Sequence, residues 1–171
     1  MTDIDRRLLV GGLAVAGATL AATQAQSQTK VLEMKDIKKE AEISCLYHCD
    51  FGDPGRVRQM ITNINNHLSA YDYDAFKIKI YVVTHAQGIK PFIDNFEGTP
   101  WSKDAPNPDL LERYEGVAKF GVDVLLCRTS FQSNKIDIKK ARSAPFIKQI
   151  PSGVAALGDL QAKGFGYIKI G

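Results

Sequence analysis

The chain has 171 residues, 44% of them hydrophobic, with 22 basic against 19 acidic side chains and a net charge of +3 at neutral pH. A basic excess that small, and scattered along the sequence, excludes a nucleic-acid surface built on charge. The three cysteines form an odd set, so in an exported chain at least one thiol is free, paired between chains or reserved for chemistry.

The N-terminal stretch MTDIDRRLLVGGLAVAGATLAATQAQSQ has the layout of an export signal: Arg6 and Arg7, an apolar run from Leu8 to Ala22, then small and polar residues. That run falls short of the roughly 20 residues a transmembrane helix needs. Adjacent arginines before a weak apolar core point to the twin-arginine route, although Asp5 precedes the pair and Leu9 stands where phenylalanine is usual. Cleavage near Ala25 to Ser27 leaves about 145 residues, enough for one domain with a real core. The expected product is periplasmic, with no membrane span. Residues 1–27 are the signal, 28–40 a linker and 41–171 the domain.

AEISCLYHCDF (41–51) reads as a first strand, ended by GDP, where Asp53 can cap a helix and Pro54 can fill its first turn. That helix runs to about Tyr71, with Val57, Met60, Ile61, Ile64 and Leu68 on one face. FKIKIYVVTH (76–85) is a second strand, 89–97 a short helix at most, and 98–108 a loop. Asn107 and Pro108 open a helix that Gly121 closes. VDVLLC (122–127) is a third strand, almost uniformly apolar, as one covered on both faces should be. A polar, weakly helical stretch leads to PFIKQI (145–150), a fourth strand. Ser152 caps the next helix, Gly164 ends it, and YIKI (167–170) is the last strand. Alternating strands and helices predict one open, largely parallel sheet with helices on both faces.

In such a sheet the carboxyl ends of the strands share one edge, where ligands bind. His48 and Cys49 end the first strand, His85 the second and Cys127 the third, which makes them candidates for one crevice. Cys45 and Cys49, roughly 13 Å apart along a strand, cannot bridge, because a disulfide needs Cα atoms within about 7 Å. A Cys49–Cys127 bridge stays open, and Cys45 reads as a buried hydrophobe. Arg128 directly follows Cys127 and favours its thiolate. His67 lies mid-helix and reads as structural. A metal site from His48, Cys49, His85 and Cys127 is chemically possible but lacks a short-spaced ligand pair. Gly88 in HAQGIKPF can help cradle an anion, but there is no nucleotide loop, no serine triad and no carboxylate pair, so no cofactor is expected. Tyr47, Phe92, Phe96 and Trp101 read as core or subunit packing.

CLYHCDFGDPGRVRQMITNINNHLSAY, IKIYVVTHAQGIKPFI, FGVDVLLCRTSF and IPSGVAALGDLQAKGFGYIKI, in this order, resemble the DsrE/DsrF-like family from about residue 41 to the end. The resemblance implies a three-layer α/β/α domain with a largely parallel five-stranded sheet, assembling into homo- or hetero-oligomers. It also implies sulfur relay through a cysteine persulfide, at the position matched by Cys127. The chemistry is reasonable there: a thiolate takes sulfane sulfur from a donor and yields it to another thiolate. Arg128 would stabilise the charged form and His85 would bond it or shuttle a proton. The expected function is therefore an exported, homo-oligomeric sulfur carrier or sulfurtransferase component, its partners a sulfur donor and acceptor, with His48, Cys49 and Gly88 lining the edge. The alternative is a non-catalytic periplasmic protein that binds a small ligand or metal there.

Overall fold

A computed structural model describes residues 30–171. The signal read in residues 1–27 lies outside the described residues. Five strands form the sheet: β1 (Ile43–Cys49), β2 (Ile78–Thr84), β3 (Val122–Cys127), β4 (Ile147–Ile150) and β5 (Gly166–Lys169). All neighbours pair in parallel, in the order β4-β3-β2-β1-β5. The central strands are buried along nearly their whole length, which explains their unbroken apolar runs.

The helices begin where the local chemistry satisfies their free N–H groups. In α1 (Pro54–Ser69) the Asp53 carboxylate accepts from the Arg56 N–H at 2.7 Å, and in α4 (Gly153–Ala162) the Ser152 hydroxyl accepts from the Ala155 N–H at 3.3 Å. Helix α2 (Pro108–Ala118) opens on proline without a side-chain cap, since Asn107 turns back to the Ala105 carbonyl. Gly121, at φ +86°, then turns the chain into β3. The polar stretch after β3 begins with a short helix, α3 (Arg128–Ser133), that starts without any intervening loop.

Helices α1, α2 and α3 cover one face of the sheet around Val57, Met60, Ile64, Tyr114 and Phe131. Helix α4 covers the other around Leu46, Tyr81, Val83, Leu125 and Leu160. Strands β1 to β4 step across the sheet with their helices on one side, and α4 carries the chain back on the other to set β5 beside β1. Right-handed crossovers require that arrangement.

Residues 30–37, read from the sequence as linker, are docked. Val31 bridges Gln149 on the outer edge of β4, Ile37 is buried under α4, and Lys163 Nζ donates to the Met34 and Ile37 carbonyls. The segment covers the exposed edge of β4, a common protection for a sheet edge. No helix among the described residues is long and apolar enough to cross a membrane.

Candidate functional site

Side chains alternate between the faces of a strand, and this sorts the predicted edge residues into two groups. Cys45, Tyr47 and Cys49 point into the core under α1 and α2, whereas His48 follows Leu46 onto the α4 face. Register carries His85 and Cys127 to that same face, because Thr84 pairs with Leu126 and the next residues continue side by side.

Cys127 stands where the strand exits part. The chain leaves β3 through α3 toward one face and leaves β4 through α4 toward the other, while Cys127 itself pairs with Ile150. Such a divergence is where open parallel sheets form their crevices. Across it, Thr129 donates from its N–H and its hydroxyl to the Pro151 carbonyl, at 3.2 and 2.9 Å. Gly153, the first residue of α4, closes the seam: a β-carbon there would lie 2.8 Å from His85 Cβ and 3.3 Å from Cys127 Cβ. The positive end of α4 thus sits beside Cys127. Cys127 is only 3% exposed. Arg128 is half-buried at the start of α3, and its guanidinium makes no hydrogen bond or ion pair among the described residues.

From His85 a polar network runs away from the thiol. His85 Nε2 and His48 Nε2 share a hydrogen bond of 2.7 Å, and His48 Nδ1 is bonded to the Tyr167 hydroxyl at 2.7 Å. Asp50 lies two residues beyond His48, 3.8 Å from its Nε2, and accepts from Lys169 Nζ at 2.7 Å. Burial pushes the pKa of both imidazoles below the ordinary histidine value; Asp50 works against this and Lys169 with it. Burial opposes ionisation of Asp50, yet the Lys169 hydrogen bond and His48 hold its pKa below the usual carboxylate range.

Cys49 and Gly88 do not line this edge. Cys49 is fully buried, its thiol against the Phe51 carbonyl at 3.7 Å, and Gly88 packs directly on its backbone. All three cysteines are free. Cys49 and Cys127 end strands separated by β2, roughly 10 Å apart, and point to opposite faces, so they cannot form a disulfide within this fold. Burial first of all, partly offset by hydrogen bonding from the Phe51 backbone, pushes the Cys49 thiol up to about 12. Burial thus both disfavours the reactive thiolate and bars a reagent from the sulfur. Native protein at pH 8 is expected to leave Cys49 unlabelled by iodoacetamide, and guanidinium-unfolded protein to label it readily; peptide mass mapping reads both.

The other sequence candidates are structural. Cys45 is buried against Gly166, and His67 Nδ1 bonds the Tyr47 hydroxyl at 3.1 Å. Phe92 packs on Tyr114, and Phe96 on Trp101. The four edge residues considered for a metal do not converge; among the described residues, the cluster that does is His48, Asp50 and His85. Asp50 was detectable in the sequence, two residues from His48 and so on the same face. Tyr167, Lys169 and Gly153 were not, because only the placing of β5 beside β1 and of α4 over the β3 exit brings them in.

A profile of the DsrE/DsrF-like family matches residues 55–170. Among solved structures, the chain is similar to a protein of unknown function, MTH1491, from Methanobacterium thermoautotrophicum. The two are 19% identical, with a TM-score of 0.58 over 75% of this chain and 99% of the other. That likeness concerns the fold alone. No curated protein matches. With the family profile spanning most of the sheet and every element from α1 to β5, the chain belongs to the DsrE/DsrF-like family.

Proposed function

We propose that the protein takes up sulfane sulfur on Cys127 and passes it to a second thiol. Family membership supports a sulfur-relay role at a coarse level. The observation that carries the finer reading is the position of Cys127, at the parting of the β3 and β4 exits, against His85 and the first turn of α4. In the loading step the Cys127 thiolate attacks the outer sulfur of a polysulfide; a new S–S bond forms, the donor's S–S bond breaks, and the shortened polysulfide leaves with the electron pair. Unloading repeats the exchange with an acceptor thiolate and regenerates Cys127, with no net oxidation. His85 Nδ1 has no hydrogen-bond partner among the described residues and serves as acceptor for the thiol proton. Arg128, whose guanidinium has no hydrogen-bond or ion-pair partner among the described residues, stabilises the charged forms.

The low exposure of Cys127 favours small donors such as polysulfide, or a protein partner that opens the seam. We read residues 1–27 as an export signal and place the work in the periplasm, in a homo-oligomer that exchanges sulfur with a partner thiol. Intact-mass spectrometry tests the reading. The mature non-reduced chain, lacking the signal, is expected to gain one or more sulfur masses on incubation with polysulfide, to lose them on reduction, and to gain none as Cys127→Ser. A Cys127 that stays unmodified in folded protein under excess polysulfide overturns it.

A further inference from the structure

We propose that His48, His85 and Asp50 form a binding site for one divalent transition-metal ion of the zinc class. The proposal does not rest on the sulfur reading, but the two share His85: with its Nε2 on the ion, its Nδ1 carries the ring proton and does not accept one from Cys127. The Nε2 atoms of the two histidines face each other at 2.7 Å, Asp50 Oδ2 lies 3.8 Å from His48 Nε2, and one donor atom from each residue falls within 4.8 Å of the others. Two imidazole nitrogens and one carboxylate oxygen are the donor set of open zinc sites, which keep a fourth position for water or a small ligand. Tetrahedral ligands at zinc distances sit about 3.3 Å apart, so the imidazoles need open by only about half an ångström.

Several features prepare the site for an ion. His48 lies near the end of β1 with Asp50 just beyond it, His85 directly follows β2, and these strands are locked in register by the pairs His48–Val83 and Cys49–Thr84. The Tyr167 hydroxyl on His48 Nδ1 fixes that ring's orientation, the supporting bond that metal-ligating histidines characteristically make. The Asp50 side chain, 31% exposed, leaves a way in.

Lys169 is the competitor. Its ammonium holds Asp50 Oδ2 at 2.7 Å and brings a positive charge to the place where the ion would add another. Its side chain is 37% exposed and can swing into solvent when the ion enters. Metal binding must therefore displace a cation, so removing that cation should strengthen it.

The test is calorimetric titration of the EDTA-treated full mature chain with Zn²⁺. The expected result is one ion per chain, weakened at least tenfold by Asp50→Asn and by His48→Ala, weakened by Tyr167→Phe and strengthened by Lys169→Met. Circular dichroism confirms that each variant is folded, and the part-exposed Asp50 keeps the test decisive where a histidine variant fails to fold. Cys127→Ser is expected to bind zinc as the parent does, which separates this site from sulfur loading. Failure to bind one ion per chain overturns the proposal, as does binding indifferent to Asp50→Asn and Lys169→Met. Binding lost with Cys127→Ser would place the ion elsewhere and overturn it equally.

Discussion

Gly88→Ala is expected to cost the protein its stable fold. Gly88 is buried at the start of the segment that leaves β2, where its N–H donates to the His85 carbonyl at 2.8 Å. A β-carbon there would stand 2.1 Å from the Cys49 carbonyl oxygen and 2.8 Å from its carbon. Overpacking a core usually costs about 1–3 kcal/mol because side chains move aside. Here the obstacle is the backbone at the end of the central strand β1, and that strand is held by β2 on one side and β5 on the other. The whole 86–92 segment would have to lift, exposing Ile89 and Phe92, both fully buried. A loss above about 3 kcal/mol is expected, a large share of the 5–15 kcal/mol typical of a domain. That corresponds to a melting temperature lower by roughly 10 °C or more. Gly158→Ala is the control: an exposed mid-α4 position where a new β-carbon meets nothing within 4 Å, so it should stabilise by up to about 1 kcal/mol. Thermal melts of the two variants beside the parent read the difference.

The fate of Gly88 illustrates what the sequence could and could not say. As a glycine just beyond a strand end it suggested an anion cradle, and nothing local distinguishes that use from close packing on another strand's backbone. Local chemistry was sufficient for the elements themselves: Asp53 with Pro54 and Ser152 mark helix starts that the structure keeps, and the apolar runs mark the strands. Face was half legible. Alternation alone puts His48 and Cys49 on opposite sides of β1 and Asp50 beside His48, but joining His48 to His85 needs the register between β1 and β2. Strand order was the least legible feature, since β5 pairs with β1 across more than a hundred residues. Tyr167 and Lys169 arrive at the histidines by that pairing and by no shorter route. The docked segment 30–37 was hidden for the same reason: its partner, Gln149, lies at the far end of the chain.

Gly153→Ala is expected to separate the site from the fold. It makes the same chemical change as Gly158→Ala, five residues earlier on the same helix, but at the seam. The new β-carbon would meet His85 Cβ at 2.8 Å and His85 Cγ and Cys127 Cβ at 3.3 Å. Neither β-carbon can rotate away, because both sit on strand ends, so the first turn of α4 must rise from the sheet or His85 must shift. Only the terminal turn moves; Ala156, Leu157 and Leu160 still anchor α4 on the sheet. The stability loss is therefore smaller than for Gly88→Ala, about 1–2 kcal/mol after the gain in helix propensity is offset. The functional loss is larger than that figure suggests. A shift of His85 misaligns its 2.7 Å bond to His48, and a raised α4 carries its positive end away from Cys127. Reacting groups misplaced by an ångström can slow a reaction about a hundredfold. Sulfur loading of Cys127, followed by intact mass against time, is expected to slow at least tenfold in Gly153→Ala and to keep the parent rate in Gly158→Ala. Parent-like loading in a Gly153→Ala protein that has lost stability would mean that the seam packs the helix and has no part in the chemistry of Cys127.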